Sequence, residues 1–248
     1  NTLFIILYNY WILNKKNLNM KKLCSILIII ALTTTISFAQ TFGVNAGVNL
    51  ANLTHGSDMQ DLQDAAEATS NMIIGISVGA TGTFELSDVL DLNAGISYIQ
   101  KGTTLSLDYT GDGEDEDIST KLNFIDIAPS LSYKITNELS ASIGTYVGFA
   151  LSGTQDDLEF EYDMTTGEII TTITSEAIDF EEDEVGTLDY GLNIGVSYVL
   201  NEMIAINAGY CLGLADLNAE GGEFDGQDYS KKTNGIYFSV GYLFGGGY

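Results

Sequence analysis

The sequence predicts an all-β protein, an eight-stranded antiparallel up-and-down transmembrane β-barrel with long acidic external loops. Eight stretches alternate apolar with small polar residues at period two, and the connections between them are alternately long and acidic or very short. One end of the strands also repeats an aromatic residue at constant depth. Membrane barrels carry this signature, with segments of about ten residues, apolar toward lipid and polar toward the lumen. A soluble sandwich also alternates, but its outward face carries charge. Here the non-apolar face is Gly, Asn, Ser and Thr.

The first strand is expected over 41–53, with Phe42, Val44, Ala46, Val48 and Leu50 on one face and Gly43, Asn45, Gly47 and Asn49 on the other. Strands follow near 72–86, 90–104, 122–135, 139–152, 188–200 and 204–217. The last, 234–244, sets Ile236, Phe238, Val240, Tyr242 and Phe244 against Gly235, Tyr237, Ser239 and Gly241. Connections after the second, fourth and sixth strands are short. Before them stand Phe84-x-Leu86, Tyr133-x-Ile135 and Tyr198-x-Leu200, and Tyr242-x-Phe244 closes the last strand. With Phe42 these form one ring at a single depth, as aromatic residues do at a membrane interface. Leu86 and Leu90 must share a face, as must Ile135 with Leu139 and Leu200 with Ile204, so each turn holds an odd number of residues. Three is the smallest fit, over 87–89, 136–138 and 201–203. Pro129 sits inside the fourth strand without an N–H to donate, so a bulge or weak pairing is expected there.

Met20, Lys21-Lys22, the apolar run 23–32 and the small-x-small site Ser37-Phe38-Ala39 read as a secretory signal peptide over 20–39. Residues 1–19 are then upstream translation, and the barrel domain is 40–248. Neither 3–13 nor 23–36 reaches the roughly 20 apolar residues of a membrane-spanning helix. The portion after residue 39 holds five Lys against 34 carboxylates, a formal charge of −29, which disfavours nucleic acid. Of those carboxylates, 26 fall in four segments: 54–71, 105–120, 154–187 and 218–233. Acid runs keep loops solvated. Cys211 is the only cysteine after residue 39, so no disulfide is expected within that portion.

Five segments in order carry a family resemblance: residues 42–50, Tyr98-Ile99-Gln100-Lys101-Gly102, residues 123–129, Asp189-Tyr190-Gly191-Leu192 and Gly241-Tyr242-Leu243-Phe244. Together they resemble the PorT-type outer-membrane β-barrel family of Bacteroidetes. The resemblance implies an eight-stranded barrel inserted by the barrel assembly machinery, and one branch of that family is tied to a secretion apparatus. The tail Gly245-Gly246-Gly247-Tyr248 departs from barrels that end on the strand's aromatic, so Phe244 and Tyr248 are both candidate assembly signals.

Chemistry is sparse. Thr54-His55-Gly56-Ser57-Asp58 holds the residue types of a Ser-His-Asp triad, but residues this close in one loop rarely meet the required geometry. It reads as a polar loop, and no catalytic, cofactor-binding or metal site is assigned. Residues 112–117 and 181–184 are the best carboxylate groupings for Ca²⁺, yet they lack the EF-hand spacing. An eight-stranded barrel is just wide enough for side chains to fill, so no open pore follows from strand number.

The expected function is therefore non-enzymatic, structural or surface-interacting, with no cofactor. The alternatives are an accessory of a secretion or transport system, a small channel or a lipid-modifying enzyme. Expected partners are outer-membrane lipid and lipopolysaccharide, the assembly machinery and a surface or secretion-system protein, for a monomer with periplasmic termini and extracellular loops. The uncharged, β-branched run 169–174 suggests that the fifth and sixth strands extend above the membrane as a hairpin. Lys101, Asp126 and Asp189 all have inward parity at similar height, which predicts a structural ion-pair cluster in the lumen.

Overall fold

The computed structural model describes residues 41–108, 115–162, 164, 169–180, 185–218, 223–224 and 227–245. The expected signal peptide, Tyr248 and most of the carboxylates in 112–117 and 181–184 lie outside the described residues.

Eight strands form the wall: β1 (Thr41–His55), β2 (Thr69–Ser87), β3 (Leu90–Leu107), β4 (Glu116–Lys134), β5 (Leu139–Tyr162), β7 (Leu188–Leu200), β8 (Ile204–Gly213) and β11 (Lys231–Phe244). Each wall strand pairs antiparallel with the next, and β1 pairs with β11 from Phe42↔Phe244 to His55↔Lys231. Closure satisfies the backbone groups that an open sheet would leave bare in lipid. Outside the ring lie α1 (Ser57–Ala65), β6 (Ile169–Ala177) and the short pair β9 (Glu223–Phe224) and β10 (Gln227–Asp228).

Alternation places the apolar row outside. Val44, Val78, Ile143, Ile194 and Val240 are exposed, Ile74 to 75%. A soluble monomer rarely exposes an apolar belt of this extent. The opposite row turns inward, where Asn49, Ser77 and Ser132 are buried.

The short turns keep the parity that the sequence demands. Leu200 pairs with Ile204 across 201–203, where Asn201 and Glu202 take left-handed φ values of 49° and 60°. Across 136–138 the N–H of Ile135 donates to the carbonyl of Leu139 at 2.8 Å. In the first turn Phe84 pairs with Leu92 as expected, but Ser87 then pairs with Leu90 and Leu86 is bulged out. Tyr133, Tyr198, Tyr242 and Phe244 are exposed around this end, and the Phe42 and Phe244 rings lie 6.1 Å apart. Phe244 is the last residue of β11.

At Pro129 the β4–β5 ladder breaks between Ile127↔Val147 and Ser130↔Gly144 without a change of register. The missing N–H weakens pairing there. The bulge of this strand pair instead lies opposite Asn123 and Phe124, at Leu151.

At the other end several strands outrun expectation. β3 and β4 pair out to Leu107↔Glu116, because Thr103↔Thr120 and Leu105↔Ile118 continue the alternation. β5 rises to Tyr162 and pairs with β6 from Thr154↔Ala177 to Tyr162↔Ile169. The hairpin expected from 169–174 exists, but its return strand is β6, separate from β7. β8 stops at Gly213, short of 217, because Ala215 and Leu217 turn inward and are 2% exposed.

Candidate functional site

The barrel interior has two halves. Toward the short turns it holds a cavity of about 310 Å³, lined by small and polar groups such as Asn45, Thr81, Ser97, Ser142, Asn193 and Asn207. The cavity runs from Thr41, Thr83 and Leu243 at the short-turn end up to Ile99, Asp126 and Tyr146. Above it Leu53, Ile99, Leu122, Phe124, Ile178 and Leu217 form one buried apolar cluster, against which Ala150, Phe180 and Val185 pack. This plug combines inward wall residues with Ile178 and Leu217, which the long connections fold back into the mouth.

Between cavity and plug sits the ion cluster. Lys101 Nζ on β3 lies 2.9 Å from Asp126 Oδ2 on β4 and 2.8 Å from Asp189 Oδ2 on β7. The three side chains are 5%, 8% and 0% exposed. Thr233 on β11 donates to Asp189 Oδ2 at 2.7 Å, and the Tyr146 hydroxyl on β5 reaches both Asp189 oxygens at 3.2 and 3.3 Å. The Lys101 ammonium stands 4.3 Å from the Tyr146 ring centre and 4.9 Å from that of Phe124. Such cation–π contacts are worth up to about 2 kcal/mol when desolvated. Five wall strands thus contribute to one cluster, and the cluster read from parity alone is present.

Two glycines make room for it. Gly102 follows Lys101 with φ 153°, where the β2–β3 register shifts, and a Cβ there would collide with the Thr120 carbonyl. A Cβ on Gly148 would collide with Asp126 Oδ1. Tyr146 and Thr233 were missed by the sequence reading. The available signal was Tyr146 standing inward in the row Ser140, Ser142, Gly144, Gly148, where a large side chain must meet something across the lumen. Nearer the short turns, Lys134 Nζ lies 3.2 Å from Asp91 and 3.6 Å from Glu85.

The segment with triad-like residues is spread over two elements. His55 ends β1 opposite Lys231, and Ser57 begins α1. Asp58 Oδ2 accepts the backbone N–H of Asp228 at 2.5 Å, tying α1 to β10. Burial first, and then the Lys231 charge, hold the His55 imidazole below its ordinary value. Among the described residues no group of three or more His, Cys, Asp or Glu is arranged to hold a metal ion.

The family model described as an outer membrane protein beta-barrel domain matches residues 38–219. The chain belongs to this family. An outer-membrane location follows from that membership. Similar solved structures include the attachment invasion locus protein Ail of Yersinia pestis, at 10% identity and TM-score 0.41, covering 82% of this chain and 98% of that one. Neisserial surface protein A is similar at 13% identity and TM-score 0.43, with 82% and 97% covered. The outer membrane protein OprG of Pseudomonas aeruginosa is similar at 13% identity and TM-score 0.38, with 84% and 97% covered. No curated protein sequence matches this outer-membrane chain.

Proposed function

We propose that this chain is a non-enzymatic integral outer-membrane protein with a structural or surface-interaction role. The observation that carries this reading is the plug, whose six buried apolar residues sit over the Lys101 cluster at the long-loop end. A wall sealed in this way leaves the loops as the acting surface. The termini are then periplasmic and the acidic loops extracellular, because short turns face the periplasm in barrels of this kind. The finer PorT-type assignment is supported by the five ordered segments beginning at Phe42, and with it insertion by the barrel assembly machinery. Contacts of the outer surface are with outer-membrane lipid and lipopolysaccharide, and the loops offer the β5–β6 hairpin to a protein partner.

The experiment is a pull-down from intact envelope with and without residues 154–187, paired with protease treatment of whole cells. Capture of a partner only by the full chain, with cleavage within 154–187 and none near Asn137, is expected. Equal capture without the hairpin, or cleavage near Asn137 alone, contradicts the reading. Lipid A left unchanged by mass spectrometry when His55→Ala and Ser57→Ala are compared with the parent is the outcome expected of a non-enzyme.

A further inference from the structure

Every wall strand is paired on both sides, but β6 is not. Among the described residues its ladder runs only to β5, from Thr154↔Ala177 to Tyr162↔Ile169. Every second residue of β6 therefore turns its N–H and C=O away from β5, and such a row is a template for a further strand. Edges are commonly guarded by Lys, Pro or a bulge. β6 holds no Lys and no Pro, Glu176 is its only charge, and its register with β5 is unbroken. The opposite edge of β5 also leaves its ladder with β4 beyond Gln155, but there Asp156, Asp157 and Glu159 supply a guarding charge.

The two faces of this hairpin differ. On one, Asp157 and Glu159 of β5 are exposed and stand opposite Thr174 and Thr172 of β6. On the other, half-buried Leu158 stands opposite Ile173, which is 45% exposed. We infer that β6 takes an extended segment of a partner protein as an added strand, and that this segment alternates basic with apolar residues. A strand beside β6 lies two strand spacings from β5, roughly 10 Å. Thr172 and Thr174 are short enough for a Lys or Arg side chain to reach over them to the carboxylates, while the alternate apolar residues cover Ile173. Main-chain pairing supplies the affinity and the alternating side chains supply the selectivity. A second copy of this chain fits less well. Copies in one membrane present β6 in the same direction, which allows only the weaker parallel ladder, and the copy is equally acidic. The inference rests on the surface-interaction reading and names the partner chemistry of that hairpin.

The probe is a peptide of nine residues, the length of β6, alternating Lys with Val. It is titrated onto the refolded full barrel and followed by fluorescence anisotropy. The controls are a peptide of the same composition with Lys and Val in two blocks, one with Glu in place of Lys, and the alternating peptide N-methylated throughout. Saturable binding of one alternating peptide per barrel is expected, with each control weaker by about tenfold or more, since each loses either ladder hydrogen bonds or the charge match. Asp157→Asn with Glu159→Gln should weaken the alternating peptide toward the level of its controls, and deleting 154–187 should abolish its binding. Equal binding of the alternating and block peptides would report diffuse attraction to an acidic barrel and overturn the inference. Undiminished binding of the N-methylated peptide, or no saturable binding by the parent, would overturn it too. A partner captured through 154–187 in the envelope pull-down, with no discrimination among the peptides, overturns strand addition alone. Capture indifferent to 154–187 overturns the surface-interaction reading with it.

Discussion

The two halves of the barrel interior are built by the same rule and end in opposite states. In both, every second residue of each strand turns inward. Toward the short turns those residues are Asn45, Thr81, Ser97, Ser142 and Asn193, which fill so little of the lumen that a polar cavity remains. Toward the long loops they are Leu53, Leu122 and Phe124, which pack with Ile178 and Leu217 into one buried apolar cluster. Strand number sets the diameter of the barrel, but side-chain volume at each level decides whether the lumen is filled. The difference also frames the electrostatics, because the ion cluster sits at the boundary, with the cavity below it and the apolar plug above.

The largest effect expected from this comparison is at Lys101. Removing one partner of a buried pair costs about 3–5 kcal/mol, because a charge is stranded. Lys101→Met strands two carboxylates, so its urea midpoint should fall by at least that equivalent. Lys101→Met with Asp126→Leu should recover only part of the loss, since Asp189 stays fully buried with Thr233 and Tyr146 as its remaining donors. Full recovery in the double variant would mean that Asp189 is better supported by hydroxyls than its position suggests.

Next is the plug. Phe124 is 0% exposed, and Phe124→Ala should cost about 3–5 kcal/mol by chemical denaturation. In the lower half Ser130→Ala, which changes a group facing the cavity, should stay within about 0.5 kcal/mol of the parent. Comparable losses at both positions would erase the distinction between a packed and a wet half.

These levels were partly readable in the sequence. Parity alone placed Lys101, Asp126 and Asp189 together, because a strand's side chains alternate strictly and the short turns, one of them with a compensating bulge at Leu86, transmit that parity around the ring. The even strand number, the three-residue turns at 136–138 and 201–203 and the aromatic ring follow from the same regularity, whereas the turn expected over 87–89 is shortened, because Ser87 pairs with Leu90 and Leu86 bulges out. The top of the plug does not. Ile178 and Leu217 reach the lumen from connections that have no period to read, and their burial depends on where the whole chain folds back. α1 was hidden for a similar reason: its nine residues bury no side chain and follow Gly56, an N-cap with no side chain to cap them, so no apolar stripe or cap announces them. Tyr146 and Thr233 carry the right parity, but a hydroxyl announces no partner until the strands facing it are known.

The smallest expected effect lies at the long-loop end of β1, at His55. Its folded-state value is depressed, so the neutral imidazole is the form that the fold favours. The stability it contributes is present above its ordinary value of 6.5 and is lost as pH falls through the folded value. His55→Gln should therefore flatten the decline in urea midpoint between neutral and mildly acidic pH. An unchanged slope would assign that decline to the carboxylates alone.

Planar-bilayer recording tests most directly whether the packed half seals the barrel. The parent is expected to show no discrete conductance steps, while a Phe124→Ala, Leu122→Ala double variant, with the apolar layer thinned above the cavity, is expected to show them. Discrete steps from the parent itself would contradict the account, because water and ions would then pass the level of Lys101 that the packing closes.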